Sequence, residues 1–232
     1  MIPATWDKSW NDFMNEEHIS MLNDIEKKIG DNYFPEDKNV LRFLNFNLDN
    51  VKCVIVGMEP YPTSYFVDGK EIPVATGRSF EVSSINSWDE KFKQSSLRNI
   101  LKTIYYNETN TLKSLDEIRT EIKNNEFKIA PPKDWFDNLE NQGVLFLNAT
   151  LTVKKETVDS HTKFWKDFIE ELIKYIDKKN PKWLLWGNNA INRVSPLVNN
   201  TITCVHPRIA SFVNENCFKE VKEIKWTGLK NL

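Results

Sequence analysis

Residues 52–65, KCVIVGMEPYPTSY, decide the fold class of this chain. Apolar residues 54–56 run without interruption up to Gly57, and Glu59 then stands between that glycine and two prolines. A short continuous apolar run is typical of a strand that is buried on both faces of a sheet. Proline restricts its own backbone and that of the residue before it. The stretch therefore predicts a buried strand whose end holds a carboxylate rigidly.

Similar apolar runs recur along the chain and predict a sheet. The runs lie at 51–57, 144–149, 183–187 and 201–205. Helical patterns lie between them, at 96–106, 164–176 and 189–197, and residues 4–30 have the spacing of one or two surface helices. Alternating strands and helices favour parallel strands joined by right-handed crossovers. We therefore predict an α/β fold with three layers, α/β/α, around a central four-stranded, mostly parallel sheet.

Polar residues follow each predicted strand. In a parallel sheet ligands bind outside the carboxyl ends of the strands. Glu59, Asn148 and His206 each stand at or just beyond such an end. The topology thus predicts that a carboxylate, an amide and an imidazole meet around one crevice.

Length and composition limit the class of protein. The 232 residues suit one domain, 1–232, and the formal charge of −2 means that an anionic partner must meet a local basic face. No apolar run is long enough to cross a membrane and no signal peptide is recognisable, so we expect a cytoplasmic monomer without membrane contact. Three scattered cysteines indicate reduced thiols and exclude a four-cysteine iron–sulfur cluster, and the scattered histidines argue against zinc. We expect neither a metal nor a cofactor.

Each candidate residue also has an ordinary structural interpretation. Glu59 is either a catalytic carboxylate or an exposed loop residue, and His206 is either a donor to a developing anion or a loop cap. Asn148 either reads the edge of a base or bonds to local backbone. Phe80 either stacks on a planar ligand or belongs to the core. The residues alone leave these alternatives open.

A second group of residues has the character of a phosphate-binding rim. Ser160 and His161 precede one predicted helix, and Gln94, Ser95 and Ser96 open another. The free amide groups at a helix start bind phosphate, although ordinary N-capping explains the same residues. The remaining members of this rim are Gly187, Asn188, Asn189 and Arg208.

The order of motifs resembles family 1 uracil-DNA glycosylase over nearly the whole chain. The similar segments are an early helix with Trp6, NVKCVIVGMEPYP, ATGRSFEV, QSSLRNI, QGVLFLNATLTV, DSHTKFW, LLWGNNA and VHPRIAS. The resemblance implies an enzyme that flips a pyrimidine out of single- or double-stranded DNA and hydrolyses its N-glycosidic bond. It implies that no cofactor is required.

The resemblance also implies a role for each matching residue. Glu59 and His206 would be catalytic, the first by orienting water and the second by stabilising charge on the base. Met58, Tyr61, Phe80 and Asn148 would bind the base, with Tyr61 rejecting groups at C5. The DNA-binding set would be Gln94, Ser95, Ser96, Ser160, His161, Gly187, Asn188, Pro207, Arg208, Ile209 and Ala210.

Departures from the family pattern cluster around the same pocket. Glu59 stands where the family has Asp, Met58 where it has Gln, and Pro62 where it has His. Residues 208–210 replace Ser-Pro-Leu, and the link at 63–76 is longer than in the family. The first hypothesis is removal of uracil or a related pyrimidine.

Three alternatives remain beside that hypothesis. The pocket could be specific for C5-modified pyrimidines in viral DNA, such as hydroxymethylated or glucosylated ones, in anti-phage defence. The protein could instead bind DNA or a partner without catalysis. A generic nucleotide-binding protein is the weakest alternative, because the chain has no glycine-rich phosphate loop.

Overall fold

Four parallel strands form the central sheet, described here from a computed structural model that covers residues 1–215 and 217–229. The predicted domain, 1–232, also includes residues 216 and 230–232, which lie outside the described residues. The strands of the described residues are β1 Tyr33–Phe34, β2 Cys53–Gly57, β3 Ser64–Val67, β4 Lys70–Pro73, β5 Val144–Asn148, β6 Val153–Lys154, β7 Lys182–Trp186 and β8 Thr201–Cys204. Of these, β2, β5, β7 and β8 form the central sheet.

Helices flank this sheet. The α-helices are α1 Glu16–Ile29, α2 Asp37–Val40, α3 Ser95–Thr109, α4 Leu115–Lys123, α5 Pro132–Gln142, α6 Thr162–Asp177 and α7 Asn188–Val194. Short 3₁₀ turns lie at Lys8–Trp10, Arg42–Asn45, Leu48–Asn50, Ser195–Leu197 and Ala210–Asn214.

The strand order confirms the predicted α/β class. The sheet runs β5-β2-β7-β8, and all neighbouring pairs are parallel. Of these four strands, β2 comes first in the chain, and it lies between β5 and β7. Later strands are therefore added on both sides of β2, and the direction of strand addition reverses there. Such a switch point opens a crevice at the carboxyl ends of the strands. Gly57 pairs with Asn148 there, which brings the ends of β2 and β5 level.

Alternate residues of each strand supply two separate cores, one on each face of the sheet. Val54 and Val56 pack in the core that includes α1 and α6, whereas Cys53 and Ile55 pack in the core that includes α3 and α5. Both faces are therefore covered, which explains why the strands read as continuous apolar runs.

Helix α6 shows how the sequence pattern produces one of these layers. Its buried side chains recur every three or four residues, at Trp165, Phe168, Ile169, Leu172, Ile173 and Ile176. Each large apolar side chain that leaves water contributes about 1.5–3 kcal/mol. This apolar stripe fixes which face of the helix meets the sheet.

Two segments left without a structural assignment in the sequence have regular structure. The 63–76 link forms the antiparallel hairpin β3–β4, which turns at Asp68 and Gly69. Both turn residues have positive φ, as a two-residue hairpin turn requires. The 108–135 stretch contains α4 and the start of α5, which begins with Pro132 in its first turn.

No helix within residues 1–215 and 217–229 is both long and apolar enough to cross a bilayer.

Candidate active site

A cleft of about 400 Å³ opens at the carboxyl ends of the parallel strands, at the switch point. The residues around it come from every strand end and from the start of α3. They are Val56, Gly57, Met58, Glu59, Tyr61, Phe80, Lys93, Gln94, Ser95, Ser96, Asn148, Trp186, His206 and Arg208. The carboxylate, the amide and the imidazole that the sequence placed at three strand ends therefore share one cleft.

Glu59 is held by the loop before α6. Its Oε2 accepts a hydrogen bond of 2.9 Å from the backbone N–H of Asp159. Asp159 has a φ of 54°, a left-handed conformation that Asp tolerates better than most residues. Burial raises the pKa of Glu59, the hydrogen bond from Asp159 opposes that rise, and the negative charge of Asp159 adds to it. A carboxylate in this setting is oriented and only partly solvated, as a water-activating base requires.

His206 has a defined tautomer when it is neutral. The backbone N–H of Arg208 donates to Nδ1 over 3.0 Å, so the proton of the neutral ring lies on Nε2. Burial lowers the pKa of His206, and the charge of Arg208 lowers it further. The neutral ring can therefore donate an Nε2–H hydrogen bond without carrying a charge.

Gly187 allows His206 to take this position. A Cβ on Gly187 would lie 2.7 Å from the Cβ of His206, and Gly187 also has a φ of 88°. Both the close approach and the backbone conformation require glycine here. Gly187 thus leaves the space in which His206 lies at the cleft.

Asn148 ends β5 with its side chain at the cleft and only 2% of the residue exposed. Within the described residues, its side-chain amide has no hydrogen-bond partner from the protein. A Cβ on Gly57 would lie 2.5 Å from Asn148 Oδ1, so this glycine leaves room for the amide. A buried amide with a free donor and a free acceptor is suited to reading the edge of a ligand.

Phe80 presents an aromatic ring at the cleft from a strained backbone. Its φ is 63°, and its ring centroid lies 5.2 Å from that of Trp186 and 6.4 Å from that of His206. The preceding residues anchor it. Ser79 donates to the carbonyl of Ile55 over 2.9 Å. Strain that the surroundings maintain is common at functional sites.

Arg78 anchors the same segment from the other side. Its guanidinium is almost fully buried and bonds to Glu81, Asp137 and Glu140, the last two on α5. These carboxylates raise the pKa of Arg78 against the opposing effect of burial. The ion cluster ties the Phe80 segment to α5.

Tyr61 and Met58 complete the wall of the cleft beside Glu59. Burial raises the pKa of Tyr61 to about 12, so the ring carries a neutral phenol. Met58 packs against the core that contains α1 and α6. No residue of 63–76 lines the cleft.

The start of α3 forms one rim of the cleft, together with Arg208. Gln94, Ser95 and Ser96 line it, and the N-cap Gln94 makes no side-chain capping bond. The first amide groups of α3 therefore face the cleft without a capping side chain, an arrangement that favours anions.

The loop after His206 is fastened to α3. Asn99 Nδ2 donates to the carbonyl of Pro207 over 2.6 Å and to that of Ile209 over 3.3 Å. Pro207 is buried, whereas Ile209 and Ala210 are exposed.

The other residues proposed to contact DNA lie outside the cleft itself. His161 is buried, and its Nδ1 lies 2.9 Å from the hydroxyl of Thr152. Ser160 accepts from the backbone of Lys154 and donates to that of Thr157. Asn188 is exposed at the start of α7. Their proposed contacts with DNA stay predictions.

Three residues at the site were missed by sequence reasoning. Lys93 is exposed at the rim directly before the Gln94 segment, where its charge was a usable signal. Trp186 was assigned only to a strand. Asp159 acts through its backbone, and no side-chain pattern indicates that.

Among the residues that the structure describes, no group of three or more His, Cys, Asp or Glu side chains is arranged to hold a metal ion.

Curated proteins with similar sequences carry one name. Uracil-DNA glycosylase of Clostridium beijerinckii is 32% identical over 175 residues, which cover 73% of this chain and 63% of that protein, so the match spans less than two thirds of that relative. Uracil-DNA glycosylase 2 of Listeria monocytogenes is 28% identical over 243 residues, covering 95% of each chain. No protein-family model matches the chain.

Solved structures agree with these relatives at the level of the fold. The uracil-DNA glycosylase of Nitratifractor salsuginis superposes with a TM-score of 0.74 at 19% identity, covering 97% of this chain and 92% of that one. The mimivirus uracil-DNA glycosylase superposes with a TM-score of 0.63 at 24% identity, covering 87% and 69%.

Proposed function

Because this chain belongs to the uracil-DNA glycosylase superfamily as a divergent DNA glycosylase, we propose that it removes uracil or a closely related pyrimidine from DNA. One observation carries the proposal. Glu59, Asn148 and His206, brought in by three different strands, line the same cleft as Phe80 and Tyr61. A base buried in a duplex cannot reach such a cleft, so the nucleotide must be extruded.

Recognition of the base uses the buried polar edge and the aromatic ring. The free amide of Asn148 donates to and accepts from the edge of the pyrimidine, and Phe80 stacks on its face. Tyr61, a neutral phenol, stands against C5. A site that is built to hydrogen-bond one edge rejects analogues that leave its polar groups unpaired.

Hydrolysis then breaks one bond and forms another. The bond between the base nitrogen and C1′ breaks with both electrons going to the base, while the sugar becomes an oxocarbenium-like cation. Nε2–H of neutral His206 donates to the base oxygen on which negative charge develops. Glu59 orients the attacking water, accepts its proton and balances the charge of the sugar. Glu59 then releases the proton to solvent and the anionic base takes one up, so the products are an abasic site and the free base.

DNA is held by a small local rim, since the whole chain has a formal charge of −2. The start of α3 offers amide groups and Lys93, and Arg208 stands in the loop that Asn99 fastens to α3. Residues 208–210 stand in the sequence where the family has Ser-Pro-Leu. Exposed Ile209 fills the gap that the extruded nucleotide leaves.

The structure bears on two of the alternatives, specificity for C5-modified pyrimidines and binding without catalysis. A pocket for large C5 groups requires a displaced Tyr61 or space opened by residues 63–76, yet Tyr61 lines the cleft and the hairpin does not. This favours a pyrimidine with a small or absent C5 group. A non-catalytic binder would not need Glu59 and His206 each held by a specific backbone N–H.

Base release from a panel of DNAs tests the proposal. The panel contains uracil in single and double strands, thymine, cytosine, hydroxymethylated pyrimidines and glucosylated hydroxymethylcytosine. We expect abasic sites from uracil-containing DNA, loss of most turnover with retained DNA binding in Glu59→Gln, and strong loss in His206→Ala. Release from a C5-modified base alone would instead support the defence alternative. Binding without release from any DNA would support the non-catalytic one.

A further inference from the structure

Exposed large apolar side chains in this protein stand mostly on segments that lead to or from the cleft. Five such residues lie in the described part of the chain. Four of them stand within six residues, along the chain, of a residue that lines the cleft or holds Glu59: Phe66, Val67, Val158 and Ile209, and we call these four the apolar rim. Leu112 is the fifth. It lies beyond the far end of α3, about 22 Å along a helix of 15 residues from the end that lines the cleft.

The β3–β4 hairpin presents the most exposed member of the apolar rim. Phe66 is 71% exposed and Val67 is 49% exposed. The hairpin leaves the wall of the cleft directly after Tyr61 and returns to the Phe80 segment. Phe66 is five residues from Tyr61, so its backbone lies within about 17 Å of the cleft wall.

The hairpin is braced rather than loose. Phe66 pairs in register with Glu71. Glu71 accepts from Ser64 over 2.8 Å and from Lys155 Nζ over 2.7 Å. Glu156 donates its backbone N–H to the carbonyl of Pro62 over 2.8 Å. These contacts fix the exposed ring relative to the cleft.

The same contacts connect the hairpin with the loop that holds Glu59. Lys155 and Glu156 begin that loop, which continues through exposed Val158 to Asp159, the donor to Glu59. The segment that carries Phe66 is thus joined to the loop that holds Glu59 by the Lys155–Glu71 ion pair and by the hydrogen bond from Glu156 to Pro62. Ile209 follows His206 on a separate loop, which Asn99 fastens to α3.

We propose that the apolar rim is a second DNA contact, in which Phe66 stacks on an unpaired base about two to five nucleotides from the extruded nucleotide. This inference rests on the proposed function, because the same strand must enter the cleft. An exposed aromatic ring binds single-stranded nucleic acid by stacking on bases of any sequence. A strand advances about 3.4 Å per nucleotide, so Phe66 reaches a base within about five nucleotides of the cleft. The occupant is the substrate strand, since the hairpin follows Tyr61 of the cleft wall in the chain and is braced against the loop that holds Glu59.

Binding of single strands tests this contact. The dissociation constant is measured in the Glu59→Gln background, with and without Phe66→Ala, for a uracil-containing strand of about 15 nucleotides. The same measurement is made on a trinucleotide with central uracil, and on the long strand with abasic spacers in place of the flanking bases. We expect Phe66→Ala to weaken binding of the long strand roughly tenfold and to have no effect on the other two ligands.

Two further variants separate stacking from a general structural effect. Phe66→Trp restores binding, because it keeps a ring at this position. Leu112→Ala removes an apolar side chain that is 61% exposed and far from the cleft, and it leaves all three dissociation constants unchanged.

Two results would overturn the inference while leaving the proposed function intact. One is an unchanged dissociation constant for the long strand in Phe66→Ala. The other is an equal loss for the trinucleotide and the long strand, since that would mean a distorted cleft. A protein with intact Glu59 that neither binds nor cleaves any strand would overturn the proposed function, and this inference with it.

Discussion

At the scale of single residues, the site depends on backbone groups that hold two side chains in place. Glu59 and His206 each accept a hydrogen bond from a backbone N–H, at 2.9 and 3.0 Å. Glu59 has one methylene more than the Asp of the family pattern, and the hydrogen bond from Asp159 is made at this greater length. The departure at position 59 is therefore matched by the loop that receives it.

Glu59→Asp is expected to impair the enzyme, although it restores the family residue. Shortening withdraws the carboxylate by about 1.5 Å, one carbon–carbon bond, and breaks the bond to Asp159. A misplacement of about 1 Å can lower the rate about 100-fold. Single-turnover rates on uracil-containing DNA measure the loss, with Glu59→Gln as the inactive reference. Activity at or above that of Glu59 would refute the matched-loop explanation.

The pKa of His206 should respond to Arg208. Imidazole signals in an NMR titration should place the pKa of His206 below the ordinary value of about 6.5, because burial and the Arg208 charge both disfavour the imidazolium. Arg208→Ala removes the charge and keeps the backbone N–H, so the pKa should rise towards its ordinary value. The chain has three histidines, and His206→Ala identifies the signal. A pKa that falls or does not move in Arg208→Ala would contradict this account.

At the scale of elements, the parallel sheet brings the site together and glycines let its ends approach. Strand β2 supplies Glu59, β5 supplies Asn148 and β8 leads into His206. Gly57 and Gly187 leave room for the amide and the imidazole, respectively. Gly77, Gly143 and Gly228 also have close neighbours, but those neighbours do not line the cleft.

Gly187→Ala should abolish most activity by displacing His206. The new Cβ would lie 2.7 Å from the Cβ of His206. Gly30→Ala is the matched control, since Gly30 also has positive φ, at 65°, but a Cβ there meets nothing within 4 Å. Both variants should lose about 1 kcal/mol of unfolding free energy from backbone strain. Only Gly187→Ala should lower kcat, by about 100-fold. Equal kcat in the two variants would exclude the steric explanation.

At the scale of the whole molecule, binding of a polyanion by a chain of formal charge −2 must be local. Lys93 and Arg208 are the cations that line the cleft within the described residues, and the start of α3 adds its amide groups. A cleft lined by two cations makes few phosphate contacts. Its affinity should therefore depend only modestly on salt.

Lys93→Ala should reduce that salt dependence. Each phosphate neutralised on a single strand contributes a slope of about −0.7 in a plot of log K against log salt. Removal of Lys93 should make the slope less steep by about that amount and weaken binding of all sequences alike. Lys91→Ala, at an exposed lysine that does not line the cleft, is the control. Equal slopes in the wild type and Lys93→Ala would show that Lys93 touches no phosphate.

The sequence by itself determined the fold class and which side chains stand at the carboxyl edge of the sheet. Apolar runs of four to seven residues can be recognised in the sequence, because a strand that is covered on both faces of the sheet needs no polar residues on either face. The rule for parallel sheets then placed Glu59, Asn148 and His206 at one crevice, and all three line the cleft. The family prediction is confirmed, whereas the roles of these residues stay proposals.

Tertiary structure alone decided what surrounds those residues. The hairpin at 63–76 and the helix α4 have mixed polar and apolar residues without a clear apolar period. The sequence therefore predicted no element there. Asp159 holds Glu59 from 100 residues away through a backbone N–H, a group that every residue except proline has. Such a contact leaves no mark in the sequence, because it depends on where the folded chain passes and not on which side chain stands there.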